Sequence, residues 1–191
     1  WDLYGLKRRK NEKQNHSLFI LESYSKIENF LLSALDEQES IYNLKALNER
    51  AEQEGCGEVT PNKIKTIINF WDIKKWIKRG RYENYNTSKN HVSITFREPK
   101  DRIKELLEKR QELSKFILGY IFEKNRTAIQ HATGEEVLSE FSVLELKNEY
   151  EKAQMLFKLE VTLDDIEDSL FYLSRIESIK IEGGFLVIYN Q

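Results

Sequence analysis

The sequence predicts a mainly α fold with small β-hairpins, an α+β protein built from two consecutive units. Apolar residues recur at helical spacing in six segments, and a period-two alternation follows the third and the sixth of them. Helix-start signals occur in both halves in the same order. The chain has 191 residues, of which 40% are hydrophobic and 12% aromatic. This composition is enough for a packed core and argues against a disordered chain.

The first half is predicted to begin with a mobile basic segment, residues 1–16. Three helices follow, at about 17–35, 43–54 and 61–79. Asn43 and Thr60 are residue types that cap helix N-termini, and Pro61 suits the first helical position because a missing N–H costs nothing there. Gly55 is expected to end the second helix.

A change of period predicts a hairpin after the third helix. Apolar and polar residues alternate over 91–97, as in a half-buried strand. Residues Tyr82 to Tyr85 are its expected partner, and residues 86–90 between them are rich in turn formers. The first unit is therefore predicted to cover residues 17–98.

The second unit, predicted at residues 99–191, repeats this order. Helices are expected at about 99–125, 142–154 and 162–177, with a polar loop at 126–136 and a short strand at 137–141. Ser142 and Thr162 each begin a capping box, because an acidic residue lies three positions later. Two strands around Gly183-Gly184 predict a final hairpin at 178–189 with a two-residue turn.

Each half is thus expected to contain three helices followed by a two-stranded hairpin. This order is typical of the winged helix, in which a hairpin packs against a three-helix, helix-turn-helix core. The fold class predicted is tandem winged-helix domains. Because the two halves have little sequence identity, the prediction depends on the repeated order of elements.

Several functions are disfavoured by what the sequence lacks. No segment approaches the roughly 18 apolar residues that a membrane span needs, so no membrane partner is expected. Cys56 is the only cysteine and the three histidines are isolated, which argues against a disulfide and a zinc site and favours the cytoplasm. The sequence contains no phosphate-binding loop and no dinucleotide fingerprint, so we expect no cofactor and no catalytic activity from this chain alone.

Charge is unevenly distributed although the net charge is only -2. Residues 1–98 contain 17 basic and 14 acidic residues, and residues 99–191 contain 13 and 18. The contrast is greatest between 61–97, with nine basic and two acidic residues, and 137–191, with five and eleven. We therefore expect the two units to have different roles.

The third helix and hairpin of the first unit form the predicted DNA-binding site. In a helix-turn-helix the third helix enters the major groove, where Asn can pair with adenine and Lys with guanine or phosphate. Basic residues at the helix end and in the wing can meet phosphates. The candidates are Asn62, Lys63, Lys65, Thr66, Asn69, Lys74, Lys75, Lys78, Arg79, Arg81 and Lys89. A solvated lysine-rich surface is the alternative interpretation.

The third helix of the second unit is acidic instead. Its first two turns contain Asp164, Asp165, Glu167 and Asp168. Carboxylates at a helix start complement the free N–H groups and the helix dipole, and we prefer this structural role to a metal or acid/base site. Because these carboxylates would repel phosphates, we expect the second unit to dock on protein.

Four stretches, 62–71, 73–80, 166–177 and 180–187, resemble a region of large bacterial RecQ-family ATP-dependent DNA helicases. In that family a winged-helix region follows the helicase lobes and engages duplex DNA. The resemblance implies a DNA-binding accessory region that acts in DNA repair on the bacterial nucleoid. Its partners would be duplex or forked DNA and the helicase lobes of the same parent chain, which would bind ATP and Mg²⁺.

The sequence departs from the better-known members of that family in one respect. No four-cysteine zinc site precedes the first winged helix, and the ATP-binding and DExH-type motifs are absent, so no catalytic residue is carried over. Since the chain opens at Trp1 and not at Met, we expect it to be part of a longer protein.

Two other functions remain open. A tandem winged-helix scaffold for protein interactions is favoured by the net negative charge and the acidic second unit. A bacterial transcription regulator is the third hypothesis, but such regulators usually dimerise, and the helix at 99–125 is the only candidate for a coiled-coil seam.

Overall fold

The computed structural model describes residues 3–81, 90–131, 137–153, 160–182 and 186–189, and this part of the chain is mainly helical with two small sheets. Its helices are α1 (Leu3–Ala34), α2 (Leu44–Gln53), α3 (Pro61–Ile73), α4 (Lys100–Lys124), α5 (Arg126–His131), α6 (Val143–Ala153) and α7 (Leu163–Arg175). Its strands are β1 (Ser40–Asn43), β2 (Ile77–Arg81), β3 (His91–Phe96), β4 (Val137–Glu140), β5 (Lys180–Glu182) and β6 (Leu186–Tyr189). The predicted α+β class is confirmed.

The chain divides into two compact units. The first, here called the α3 unit, comprises residues 22–108, and the second, the α7 unit, comprises residues 1–21 together with 109–191. Within these bounds the α3 unit has 15 basic and 15 acidic residues, and the α7 unit has 15 and 17. The charge contrast between the halves is therefore local to particular elements and is not a property of whole units.

The same order of elements occurs twice. From α1 to β3 the chain runs helix, strand, helix, helix, strand, strand, and from α4 to β6 it repeats this order with the short α5 added. The two sheets have strand orders β1-β3-β2 and β4-β6-β5, and every neighbouring pair is antiparallel. The sequence pattern did not predict β1, which forms by pairing with β3 some fifty residues later.

The helix starts agree with the predicted caps. Asn43 Oδ1 accepts backbone N–H bonds at 2.9 and 3.1 Å, and Thr60 Oγ1 accepts one at 3.2 Å. Ser142 and Thr162 form capping boxes in which the carboxylate three residues later also accepts the backbone N–H of the cap. Each cap stabilises its helix by about 1 kcal/mol.

Helix α3 ends at Ile73, earlier than predicted, because the chain reverses direction at Lys75. Lys75 has a φ of 61°. The N–H groups of Lys75 and Trp76 donate to the carbonyls of Asp72 and Trp71, each at 3.0 Å. These bonds form a Schellman motif, whose positive-φ residue is usually Gly. A Lys at this position does not signal a helix end, and the buried Trp76 continued the apolar spacing, so the prediction of a helix over 61–79 was wrong at its end.

Other boundaries also differ from the prediction. Helix α1 begins at Leu3, so a helix occupies most of the segment 1–16 that was expected to be mobile. Helix α5 occupies the first part of the predicted polar loop. Strand β2 (Ile77–Arg81) pairs with β3 and lies before the predicted partner strand, Tyr82–Tyr85, in the sequence. Residues 82–89, which include that predicted strand and most of the predicted tip, lie outside the described residues.

The register of the last two strands corrects the predicted turn. Glu182 pairs with Leu186, so three residues separate β5 from β6. The prediction placed only Gly183-Gly184 between the strands. The three intervening residues, 183–185, lie outside the described part of the chain.

Each unit has its own apolar core. In the α3 unit Trp71 of α3 is fully buried, and its indole Nε1 donates to a carboxylate oxygen of Glu28 on α1 at 2.8 Å. In the α7 unit the buried Arg110 guanidinium lies 3.5 Å from the centroid of the Tyr172 ring, a cation–π contact. These cores position α3 and α7 so that one side of each helix faces solvent.

Candidate nucleic-acid interface

Helices α3 and α7 correspond residue by residue. Each has 13 residues and a Thr N-cap, and in each a positive-φ residue lies fifteen positions after the cap. Five positions of this alignment are buried in both helices: Ile64 and Ile166, Ile67 and Ser169, Ile68 and Leu170, Phe70 and Tyr172, Trp71 and Leu173. The cap, the core contacts and the helix end thus define equivalent solvent-facing positions in the two units.

At those outward positions the two helices differ in charge. Four polar or basic residues of α3 are replaced by carboxylates in α7: Asn62 by Asp164, Lys63 by Asp165, Lys65 by Glu167 and Thr66 by Asp168. All eight are exposed or half-buried. A fifth position exchanges Asn69 for Phe171. The two helices therefore have the same framework and present different chemistry to solvent.

The predicted residues of α3 do not all present free side chains. Asn62 is exposed, and its backbone carbonyl accepts a bond from the Thr66 hydroxyl at 2.9 Å. The Lys63 ammonium donates to the carbonyl of Glu58 at 3.2 Å and lies 5.8 Å from the centroid of the Tyr24 ring. Lys63 is thus engaged by its own unit, whereas Asn62 is presented to solvent.

A second group of basic residues surrounds the turn after α3. We call Lys74, Lys75, Lys78 and Arg97 the basic turn. Lys75, Lys78 and Arg97 are exposed, and Lys74 is half-buried. Arg97 was not among the predicted site residues. Its backbone N–H donates to the carbonyl of Trp76 at 2.9 Å, which brings it beside the turn, and only the strand register reveals this neighbour.

Arg79 connects α3 with the basic turn, because it follows Lys78 in β2 and bonds to two residues of α3. Its backbone N–H donates to Asp72 Oδ1 at 3.1 Å, and its guanidinium donates to Asn69 Oδ1. Two of the predicted DNA contacts are therefore bonded to each other. Arg81 belongs to β2, where it pairs with Val92, but its side chain and the whole of Lys89 lie outside the described residues.

The acidic side of α7 is partly neutralised by its own unit. The Lys109 ammonium lies 2.9 Å from Asp165 Oδ2. Burial, the largest single effect, raises the pKa of Asp165, but the hydrogen bonds from Lys109 and Thr162 and the Lys109 charge outweigh it and lower the pKa overall. Within the described ranges, no group of three or more His, Cys, Asp or Glu is arranged to hold a metal ion.

Two large apolar side chains interrupt this acidic face. Leu163 is 44% exposed and Phe171 is 43% exposed. They lie two turns apart on α7, with the exposed Glu167 between them. The guanidinium of Arg175 lies 5.9 Å from the Phe171 ring centroid. Sequence reasoning missed these residues because it weighed only the charges of α7.

Cys56 has no feature of a nucleophile. Its side chain is buried, and its Sγ lies 3.8 Å from the carbonyl oxygen of Lys26. Burial, followed by the negative charge of Glu54, raises the pKa of the thiol. Because the thiolate is the reactive form, a raised pKa disfavours reaction, so a structural role for Cys56 is favoured.

No protein-family profile matches the chain, and no curated protein and no solved structure is significantly similar to it. In the part of the chain that the structure describes, no helix combines the length and apolar character required to cross a membrane. The arrangement of side chains is therefore the basis for a functional assignment.

Proposed function

We propose that the chain is a tandem winged-helix, DNA-binding accessory region of an ATP-dependent DNA helicase of the RecQ type. The order of elements from α1 to β3, and the strand order β1-β3-β2, support a winged helix whose third helix is α3 and whose wing joins β2 to β3. The second winged helix has α7 as its third helix. Chemistry would reside in the helicase lobes of the parent, with ATP and Mg²⁺, in the bacterial cytoplasm.

The observation that carries the proposal is the exchange of charge between equivalent positions of α3 and α7. A helix that enters a groove must present donors, or at least no carboxylates, to bases and phosphates. Asn62, Lys65 and Thr66 meet this requirement. Asp164, Glu167 and Asp168 do not, so DNA is assigned to α3 and is not assigned to α7.

The basic turn supplies the phosphate contacts in this proposal. Lys74 and Lys75 follow the last turn of α3, and Lys78 lies on β2 opposite Thr95. In a docked winged helix this turn would approach the backbone beside the groove. Affinity would then depend strongly on salt, because each neutralised phosphate releases condensed counterions.

The α7 unit is assigned to protein docking. Its exposed Leu163 and Phe171 offer apolar area, and the surrounding carboxylates favour a partner that combines basic and apolar side chains. The helicase lobes of the parent chain are the proposed partner. The same surface favours the second candidate function, a protein-interaction scaffold without DNA binding.

A salt titration tests the proposal. We expect fluorescence anisotropy with labelled duplex and forked DNA to show binding that weakens with salt. The triple variant Lys74→Ala, Lys75→Ala and Lys78→Ala should reduce the slope of log K against log salt by about 0.9 for each phosphate that the protein no longer neutralises. The variant Asp164→Asn with Asp168→Asn is the matched control and should keep the slope. If the parent binds neither DNA, the scaffold function is favoured instead.

A further inference from the structure

Arg79 is bound to α3 at two points. Asn69 and Asp72 are three residues apart and so share one side of the helix. Asp72 accepts the backbone N–H of Arg79 at 3.1 Å, and Asn69 Oδ1 accepts a bond from the Arg79 guanidinium. Arg79 pairs with the buried Ile94 across the sheet, and directly paired residues share a face. The half-buried Arg79 side chain therefore leaves the sheet on its core side and reaches α3.

This bond changes what Asn69 offers to DNA. An Asn that recognises adenine uses its Oδ1 to accept from the adenine amino group and its amide NH₂ to donate to N7. In this structure Asn69 Oδ1 already accepts a hydrogen bond from the Arg79 guanidinium. A guanidinium contains hydrogen-bond donors and no acceptor. A donor-only group is complementary to phosphate oxygens or to the O6 and N7 acceptors of guanine, and it is not complementary to the adenine amino group.

We propose that Asn69 is a positioning residue for Arg79, and that the Arg79 guanidinium makes the contact with acceptor atoms of DNA. The inference rests on the proposed function, since it needs α3 to bind a duplex. It assigns to Asn69 a role different from the base-reading role that its position in a helix-turn-helix suggests. Holding the guanidinium against the helix before binding lowers the entropy cost of binding DNA.

A double-mutant cycle separates the two roles. The probes are fluorescein-labelled duplexes, one composed of A·T pairs and one of G·C pairs. Arg79→Ala should weaken binding of at least one of them by about tenfold, the effect of removing a charge-assisted hydrogen bond. Asn69→Ala should weaken binding of the same duplexes, and it should have no further effect when Arg79 is already Ala. Thermal unfolding of each variant shows whether it is folded.

Asn62→Ala provides the matched control. Asn62 is exposed and lies two turns before Asn69 on the same helix, so its effect should add to that of Arg79→Ala. Arg79→Lys keeps the positive charge but lacks the planar guanidinium. Its affinity for DNA should therefore lie between those of the parent and Arg79→Ala. If Arg79→Ala does not fold, the cycle is measured with Arg79→Met, which keeps most of the side-chain volume and removes the charge and the donors.

The results distinguish the possible failures. If Asn69→Ala still weakens binding by its full factor in the Arg79→Ala background, or only with A·T duplex, Asn69 reads a base and the inference is wrong. If Arg79→Ala binds like the parent, the inference is also wrong. If the parent binds neither duplex, the proposed function fails and the inference with it. If neutral methylphosphonate linkages in the duplex abolish the loss of affinity caused by Arg79→Ala, the acceptor is a phosphate. If replacement of guanine by 7-deazaguanine abolishes that loss, the acceptor is the guanine edge.

Discussion

Ser17 and Ser178 hold each other through two reciprocal hydrogen bonds across 161 residues of sequence. The Ser17 hydroxyl donates to the Ser178 carbonyl at 3.1 Å, and the Ser178 hydroxyl donates to the Ser17 carbonyl at 3.0 Å. Both side chains are buried. The pair joins α1 to the segment between α7 and β5, and it helps to explain why residues 1–21 belong to the α7 unit.

Ser178→Ala is expected to destabilise the α7 unit by about 0.5–1.5 kcal/mol, because it removes a buried hydrogen bond to the carbonyl of Ser17. Urea denaturation followed by circular dichroism measures the change. Ser33→Ala is the control, since the Ser33 hydroxyl bonds to the Asn29 carbonyl at an exposed site and its removal should cost no more than about 0.5 kcal/mol. Equal effects of the two substitutions would contradict a structural role for the buried pair.

Lys75→Gly should stabilise the α3 unit by about 0.5–1 kcal/mol. A non-glycine residue at positive φ costs about 1–2 kcal/mol, and the greater freedom of Gly in the unfolded chain offsets part of the gain. Glu177→Gly is the matched substitution in the α7 unit, where φ is also 61°, and it should stabilise that unit similarly. Thermal denaturation measures both.

The two glycine variants should differ in DNA binding. Lys75→Gly removes a charge of the basic turn and should weaken duplex binding, whereas Glu177→Gly should not. A loss of affinity in Glu177→Gly equal to that in Lys75→Gly would show that the two turns are not functionally different.

The Glu28 carboxylate is expected to be important for the α3 core. Glu28 is 2% exposed and accepts the Trp71 indole N–H at 2.8 Å. Glu28→Ala should destabilise the unit by about 1–3 kcal/mol, because it removes this acceptor from a buried donor and leaves a void. Glu28→Gln keeps an acceptor oxygen and should cost less. If chemical denaturation shows that Glu28→Gln lowers the unfolding free energy as much as Glu28→Ala does, the importance of this hydrogen bond is contradicted.

Asp165 should make the stability of the α7 unit depend on pH in the acid range. Its pKa is lowered in the folded state from an ordinary value of 3.8, so the unfolded state binds the proton more readily. The stabilisation is fully present above the unfolded pKa and is lost as the pH falls through the folded pKa. Unfolding free energies measured between neutral pH and acid should show a smaller decrease for Lys109→Met than for the parent. An unchanged decrease would show that the ion pair with Lys109 is not its cause.

Local signals predicted the helices well where they depend on short-range chemistry. Thr60 and Thr162 cap their helices by bonding to N–H groups three residues later, and this information lies within one turn. The strand β1 and the end of α3 were missed for a different reason. Strand β1 forms because β3, some fifty residues later, pairs with it, and α3 ends at a Lys with positive φ, which no local preference indicates.

The residue types of the candidate site could be predicted from the sequence, but the contacts between those residues could not. The density of Lys and Arg in 61–97 indicated the region, and the alternation of 91–97 indicated the strand. The bond between Asn69 and Arg79 depends on the turn at Lys75, which brings β2 back along α3. Because the predicted helix continued through that turn, the sequence could not show that these two residues meet.

Site-specific cross-linking at equivalent positions of α3 and α7 tests whether DNA is bound by α3 and not by α7. A photoreactive amino acid is introduced in place of Asn62 in one protein and Asp164 in another, and each is irradiated with a labelled duplex. Positions 62 and 164 each lie two residues after a Thr N-cap, and both side chains are exposed. The two photoreactive groups therefore have equivalent positions in their helices. We predict cross-links from position 62 and none from position 164. Cross-links from 164 with none from 62 would reverse the assignment of DNA to α3.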